Sequence, residues 1–268
     1  MTRPWRGPGG NRPDLPLPPG RMPLARGGRP LKRWTWIGAF GERAMLCAAV
    51  ARVGPFTTAW WAVWSGGALR ERTLRRALDV SPSGVRIAGV MTLELADAGA
   101  PVEVVSPHGE QYAWTRKRPV LVRGTVLGRS FSAPGLVDES AGYHARRTEW
   151  RWSAGAGVAA GEEVVWNLVD GLHDGAPSER TVWVGGEPHE VGPVVFGEPA
   201  GGHGLGAVSF AEGGALSFAA QATRSRRENL LIASSDYEAP FGTFSGALPV
   251  AGALQEGRGV MERHAARW

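Results

Sequence analysis

Glu262 and His264 stand two residues apart in the closing run "GVMERHAARW", the spacing at which a β-strand turns a carboxylate and an imidazole to one face. In extended chain they lie roughly 7 Å apart, near enough to act on one substrate. Ala266 and Trp268 continue that face, while Met261 and Arg263 point the other way; a solvated outer face is the alternative reading. A second set lies in "GYHARRTEWRWSAG". Read with period two, His144, Arg146, Thr148, Trp150 and Trp152 share one face, and Tyr143, Arg147, Glu149 and Arg151 share the other. A histidine and an arginine are costly in a dry core unless paired, and together with two indoles they suit the wall of a half-polar pocket. The third set is "WNLVDGLHDG", in which Asn167 faces away from Trp166 and Leu168, and His173 and Asp174 sit in the connection that follows. At a barrel mouth that pair could serve as acid and base, or be ordinary loop surface.

Other chemistries fit these residues less well. Ser178, His173 and Asp174 can be drawn as a nucleophile triad, but no Gly-x-Ser-x-Gly elbow supports it. His144, His173, Asp174, Glu262 and His264 supply metal donors without any compact metal spacing, so no metal is expected. Paired carboxylates for glycan chemistry would be Glu149 and Glu262, yet Glu149 points away from His144. "GAGVAAG" at 155–161 leads into the alternating run "EEVVWNLVDG" and not into a helix. It therefore reads as a hairpin loop, and "GGHGLG" at 201–206 is set aside in the same way, so no nucleotide cofactor is expected.

The elements that must position these groups are short. Residues 1–30, rich in Pro, Gly and Arg, read as a flexible or loosely draped arm. From Leu31 on, short alternating or apolar runs follow one another between turn residues, in a chain that carries 39 Gly and 20 Pro in all. The pattern predicts an all-β chain with little helix, in two consecutive antiparallel barrel or sandwich units over 31–133 and 134–268. "SGGALRERTLRRALDV" reads equally as a short helix or a polar hairpin, and Gly185-Gly186 marks a two-residue hairpin turn. "TTAWWAVWSGG" and "RTEWRWSAG" echo each other across the two halves.

A net charge of +5 comes almost wholly from arginine spread along the chain, with Lys32 and Lys117 the only lysines; no basic run interleaved with aromatics suggests nucleic acid. The single Cys47 precludes an intramolecular disulfide. No signal peptide is read at the N-terminus, and the best membrane candidate, 44–64, is broken by Arg52 and Gly54-Pro55, so a soluble cytoplasmic protein without a membrane span is expected. Twelve tryptophans exceed what packing usually requires and suggest aromatic-lined space.

The runs "DESAGYHARRTEWRWSAGAG", "WNLVDGLHD", "SERTVWVGGEPHEVGPVVF", "SDYEAPFGTFSGALP" and "GVMERHAARW" resemble the bacterial domain of unknown function 2804 family, as do "RPLKRWTWIGAFG" and "RVGPFTTAWWAVW" in the first half. That family is distantly similar to two-part lipocalin-like proteins such as carotenoid hydratases. The resemblance implies two consecutive β-barrel-like units with a ligand cavity between or within them; it assigns no catalytic residue.

Two functions fit. One is an acid/base enzyme for hydration, dehydration, isomerisation or cyclisation of an apolar or amphipathic small molecule. In it His144, Glu262 and His264 move protons, Asp138 or the His173/Asp174 pair assists, Arg146 holds an anionic or carbonyl group, and Trp150, Trp152, Asn167 and Tyr237 shape the pocket. The other is a noncatalytic binding protein for a lipid or hydrophobic metabolite.

Overall fold

The computed structural model describes every residue except 1–2, 9–10, 173, 199–204, 231–232 and 268. His173 and Trp268 therefore lie outside the described residues. The described chain is all-β, folded as two curled antiparallel half-barrel sheets. The N-terminal segment carries β1 (Trp5–Arg6), β2 (Ala25–Arg26) and β3 (Arg29–Pro30). The first sheet is built from β4 (Lys32–Phe40), β5 (Ala44–Val53), β6 (Phe56–Ser65), β7 (Ala68–Leu74), β8 (Asp79–Ser81), β9 (Gly84–Ile87), β10 (Met91–Asp97), β11 (Val102–His108), β12 (Gln111–Val126) and β13 (Arg129–Gly142). The second contains β14 (Arg147–Ala159), β15 (Glu162–Asp170), β16 (Thr181–Val184), β17 (Glu187–Glu190), β18 (Val194–Gly197), β19 (Ala207–Phe210), β20 (Ala215–Leu230), β21 (Ala233–Leu248) and β22 (Gly252–Arg267).

Both sheets are ordered by one rule. The first runs β7-β6-β5-β4-β13-β12-β10-β9-β8, with β11 beside β12 and β1 beside β11; the second runs β17-β16-β15-β14-β22-β21-β20-β19-β18. In each, the last long strand lies along the first, β13 on β4 and β22 on β14. Ala133-Pro134 lies inside β13, and the change of sheet comes at residues 143–146. The register makes β14 the topological counterpart of β4, so "TEWRW" answers "KRWTW" and not the β6 sequence "TTAWWAVW".

Period-two alternation explains where the cores lie. On β4, Ile37 and Ala39 point into the first sheet's own curl with Val63, Leu93 and Val122, whereas Trp36 and Phe40 point out of it. On β15 and β22, Trp166, Leu168 and Met261 fill the second curl. The remaining faces meet each other. A third core joins Trp36, Met45, Cys47 and Ala62 of the first sheet to Trp152, Val165, Phe241 and Val260 of the second.

Turn chemistry resolves the ambiguous segments. Gly66 and Gly67 take φ of 59° and 77°, so "SGGALRERTLRRALDV" begins as a hairpin into β7 and not as a helix. The Gly185-Gly186 hairpin joins β16 to β17 as its sequence predicts. "GAGVAAG" is corrected: Gly155 through Ala159 belong to β14, and the turn is confined to Ala160-Gly161. Gly157 is required there because a Cβ would stand 1.8 Å from the Glu256 carbonyl oxygen. Gly157→Ala is accordingly expected to cost about 1–3 kcal/mol, the penalty of overpacking, read as a lowered urea midpoint. The N-terminal segment lies against the first sheet, with Trp5 paired to Val105, Leu17 buried, and the Tyr112 and Tyr143 hydroxyls donating to the Pro16 and Pro23 carbonyls. Among the described residues no helix is long and apolar enough to cross a membrane.

Candidate functional site

The second sheet's outward face carries a compact polar cluster on β14, β20, β21 and β22. Trp150 pairs with His264 and Trp152 with Glu262, so the two indoles and the two titratable groups form a two-by-two block on adjacent strands. The Trp150 indole N–H donates to Glu262 Oε1 at 2.9 Å, and the Trp150 and His264 rings lie 4.3 Å apart. His264 Nε2 is 2.9 Å from Ser235 Oγ, and Nδ1 is 3.9 Å from Glu262 Oε1. Tyr237, opposite His264 on β21, meets its ring edge-on at 5.4 Å.

Burial sets the protonation states. Removal from water raises the Glu262 carboxyl to about 7, against the opposing pull of the Trp150 hydrogen bond and the Arg224 charge, with Asp138 adding to the rise. Burial lowers His264 to about 4, so at neutral pH its approach to Glu262 is a contact of a neutral imidazole and not an ion pair. Tyr237 is held well above the usual phenol range, chiefly by burial, and stays protonated. A carboxyl that titrates near 7 can both give and take a proton at neutral pH. Replacing Trp150 with phenylalanine removes a donor that favours the carboxylate. The Glu262 midpoint is expected to move above 7, followed as the pH at which its carboxyl infrared band disappears.

Arg224 on β20 bridges to the first sheet. Its guanidinium stands 4.9 Å from the Tyr237 ring centre and 5.4 Å from that of Trp60, and it donates to Thr73 Oγ1 at 3.0 Å. Its Nε is 2.9 Å from Glu71 Oε2 without being aimed at it, so this contact is Coulombic more than a hydrogen bond. Sequence reasoning missed Arg224 because "ATRSRREN" gives no sign which of its arginines turns inward. Trp34, Trp60, Trp64, Trp150 and Tyr237 pack against the core between the sheets and each keeps part of its surface exposed, so the rim of that core is aromatic.

Asp138 occupies the matching place in the first sheet. It lies across from Trp36 on β4 and is hydrogen-bonded by the Trp34 indole, as Glu262 lies across from Trp152 and is bonded by Trp150. The two Trp-x-Trp strands meet where Trp36 and Trp152 stack edge to face at 4.9 Å. The carboxylates differ in their cations. Asp138 is locked to buried Lys117 at 2.6 Å, which also reaches Glu179 Oε2 at 3.5 Å, whereas Glu262 has no cation within ion-pairing distance among the described residues other than the neutral His264.

The other expected site residues are dispersed. His144 lies in the connection before β14, buried, with its ring 5.5 Å from Trp34 and 5.8 Å from His108; strand pairing begins only at Arg147, so its period-two place beside Trp150 is not kept. Arg146 is exposed and lines a groove of about 590 Å³ with Arg147, Arg227 and Ser235. Asn167 is buried between Trp152, whose indole donates to Oδ1 at 2.8 Å, and the Glu179 carbonyl, which accepts from Nδ2. Asp174 is exposed and accepts the Gly171 N–H. Among the described residues, no group of three or more His, Cys, Asp or Glu side chains is placed to hold a metal ion.

A family model described as "Domain of unknown function (DUF2804)" matches residues 68–268. The chain belongs to the DUF2804 family. The matched span holds the whole second sheet, with Glu262, His264, Tyr237 and Arg224, while the Trp34, Trp60 and Trp64 wall lies before it. No curated protein matches this DUF2804 chain. Among solved structures, kievitone hydratase from Nectria haematococca is similar at 9% identity over 87% of this chain and 88% of that one, with a TM-score of 0.49. CghA solved with Sch210972 is similar at 11% identity over 95% of each chain, with a TM-score of 0.41. Neither assigns a role to a residue of the DUF2804 chain.

Proposed function

We propose that this protein is an acid/base enzyme that adds or removes water, or isomerises or cyclises, an apolar small molecule held between the two sheets. Glu262 carries the proton. One observation supports this above the others: a buried carboxyl raised to about 7 by desolvation, beside partly exposed aromatics that give a substrate access. Neutral His264, held by Ser235, and protonated Tyr237 flank it as hydrogen-bonding groups that need not change charge. Hydrating an alkene asks for such an arrangement: Glu262 gives a proton to one carbon, water adds to the other, and the water's surplus proton returns to the ionised carboxyl; elimination runs it backwards.

The test is to incubate wild-type protein and Glu262→Gln with a small-molecule extract of cells that make it, and to compare the products by mass spectrometry. Conversion by wild type alone, with a gain or loss of one water or a change of retention at constant mass, is the expected result. Equal conversion by both would remove Glu262 from the chemistry. A molecule that binds both and leaves unchanged would make the protein a carrier.

A further inference from the structure

We infer that the molecule bound between the sheets is an elongated, neutral compound bearing carbonyl-type acceptor oxygens at two points, received by the indole N–H groups of Trp60 and Trp64. The inference rests on that space being the substrate site, and it names the ligand chemistry. Both Nε1 atoms are shut off from solvent with no hydrogen-bond partner. Elsewhere in the same layers the indoles of Trp150, Trp152, Trp166 and Trp183 all donate within the chain, at 2.8–3.1 Å. A buried donor left without an acceptor is expensive, and native folds rarely leave two on one strand face. Among the described residues the other indole N–H that is both shut off from solvent and without a partner is that of Trp5, which packs in the N-terminal cluster with Tyr112 and Trp114, away from this face.

Trp60 and Trp64 share their face of β6 with Ala62, and Ala49 and Met45 lie across from them on β5. Four residues at about 3.3 Å each separate their Cα atoms by about 13 Å, which suits an elongated ligand with one acceptor toward each end. The nearby cation does not call for an anionic ligand. Arg224, over the Trp60 ring, is already engaged by Glu71 and Thr73. Neutral indole donors beside a guanidinium whose charge Glu71 already balances match ketone, ester or quinone oxygens.

The test compares para-diacetylbenzene with its hydrocarbon isostere para-diisopropylbenzene on the full chain. The diketone is expected to bind about tenfold tighter or more, and Trp60→Phe and Trp64→Phe are each expected to cost it about three- to tenfold while leaving the hydrocarbon within about twofold. On wild-type protein, where no substitution can disturb folding, the Trp60 and Trp64 indole N–H resonances are expected to shift with the diketone and not with the hydrocarbon. Equal affinities, no diketone binding, or a diketone preference that survives in both variants would overturn the inference. The proton-transfer reading fails separately: conversion retained by Glu262→Gln would remove it and leave the diketone preference standing.

Discussion

Lys117→Met is expected to destabilise the protein by about 3–5 kcal/mol, because it strips a shared cation from two buried carboxylates. The Lys117 ammonium lies 2.6 Å from Asp138 and 3.5 Å from Glu179, and all three side chains are a tenth exposed or less. Burial alone would lower Lys117, but the two carboxylates overcome it and hold it above its ordinary value, so its contribution is complete at neutral pH and is lost only as pH rises beyond the lysine range. Burial already raises Asp138 against the pull of Lys117. Without the ammonium only the Trp34 hydrogen bond opposes that rise, and the deficit of the variant is expected to widen as pH climbs through the carboxylate range and to shrink in acid. Adding Asp138→Leu to Lys117→Met should recover part of the loss, since an apolar replacement removes a desolvated charge. Chemical denaturation of the three proteins at acid and neutral pH measures this. A loss below about 1 kcal/mol would mean that the triad, which ties the first sheet to the β15–β16 connection, does not carry that junction.

Much of the second-sheet face was legible because period two needs only local sequence. Trp150, Trp152, Glu262 and His264 alternate correctly within long strands, and the register that brings β22 onto β14 follows from the apolar faces that must meet. The limits of that reasoning are equally local. His144 and Arg146 keep the parity of the run but not its conformation, because β14 starts after them and the chain there is changing sheets. Arg224 and Lys117 act on residues more than twenty positions away, and no pattern within their own strands tells an inward arginine or lysine from a solvated one. The contrast between Asp138 and Glu262 was the least legible feature. Each is a carboxylate beside a Trp-x-Trp strand, and only the third dimension shows that Lys117 neutralises one and leaves the other to titrate near neutrality.

That contrast carries the prediction with the largest functional effect. Glu262→Gln is expected to reduce turnover about 10²- to 10⁴-fold, the usual loss of a general acid/base, while keeping the shape of the side chain and the acceptor for Trp150. The same substitution should stabilise the fold in alkali. Glu262 is raised from 4.5 to about 7 in the folded protein, so its favourable contribution is full below 4.5 and is lost as pH rises through about 7. At about 1.4 kcal/mol per unit, the ionised form costs up to about 3 kcal/mol, which glutamine avoids. His264 has the opposite slope. Lowered from 6.5 to about 4, it contributes fully above 6.5 and loses its contribution as pH falls through about 4. Between about 4.5 and 6.5 the two slopes oppose each other, so their joint effect on wild-type stability is close to flat there. Glu262→Gln should expose the His264 slope, with stability climbing from about pH 4 to 6.5, and His264→Gln should expose the falling Glu262 slope instead. Urea midpoints across that range distinguish them. Unchanged turnover in Glu262→Gln together with a stability profile parallel to wild type would show that this carboxyl ionises like one in water, and would leave it no role in moving protons.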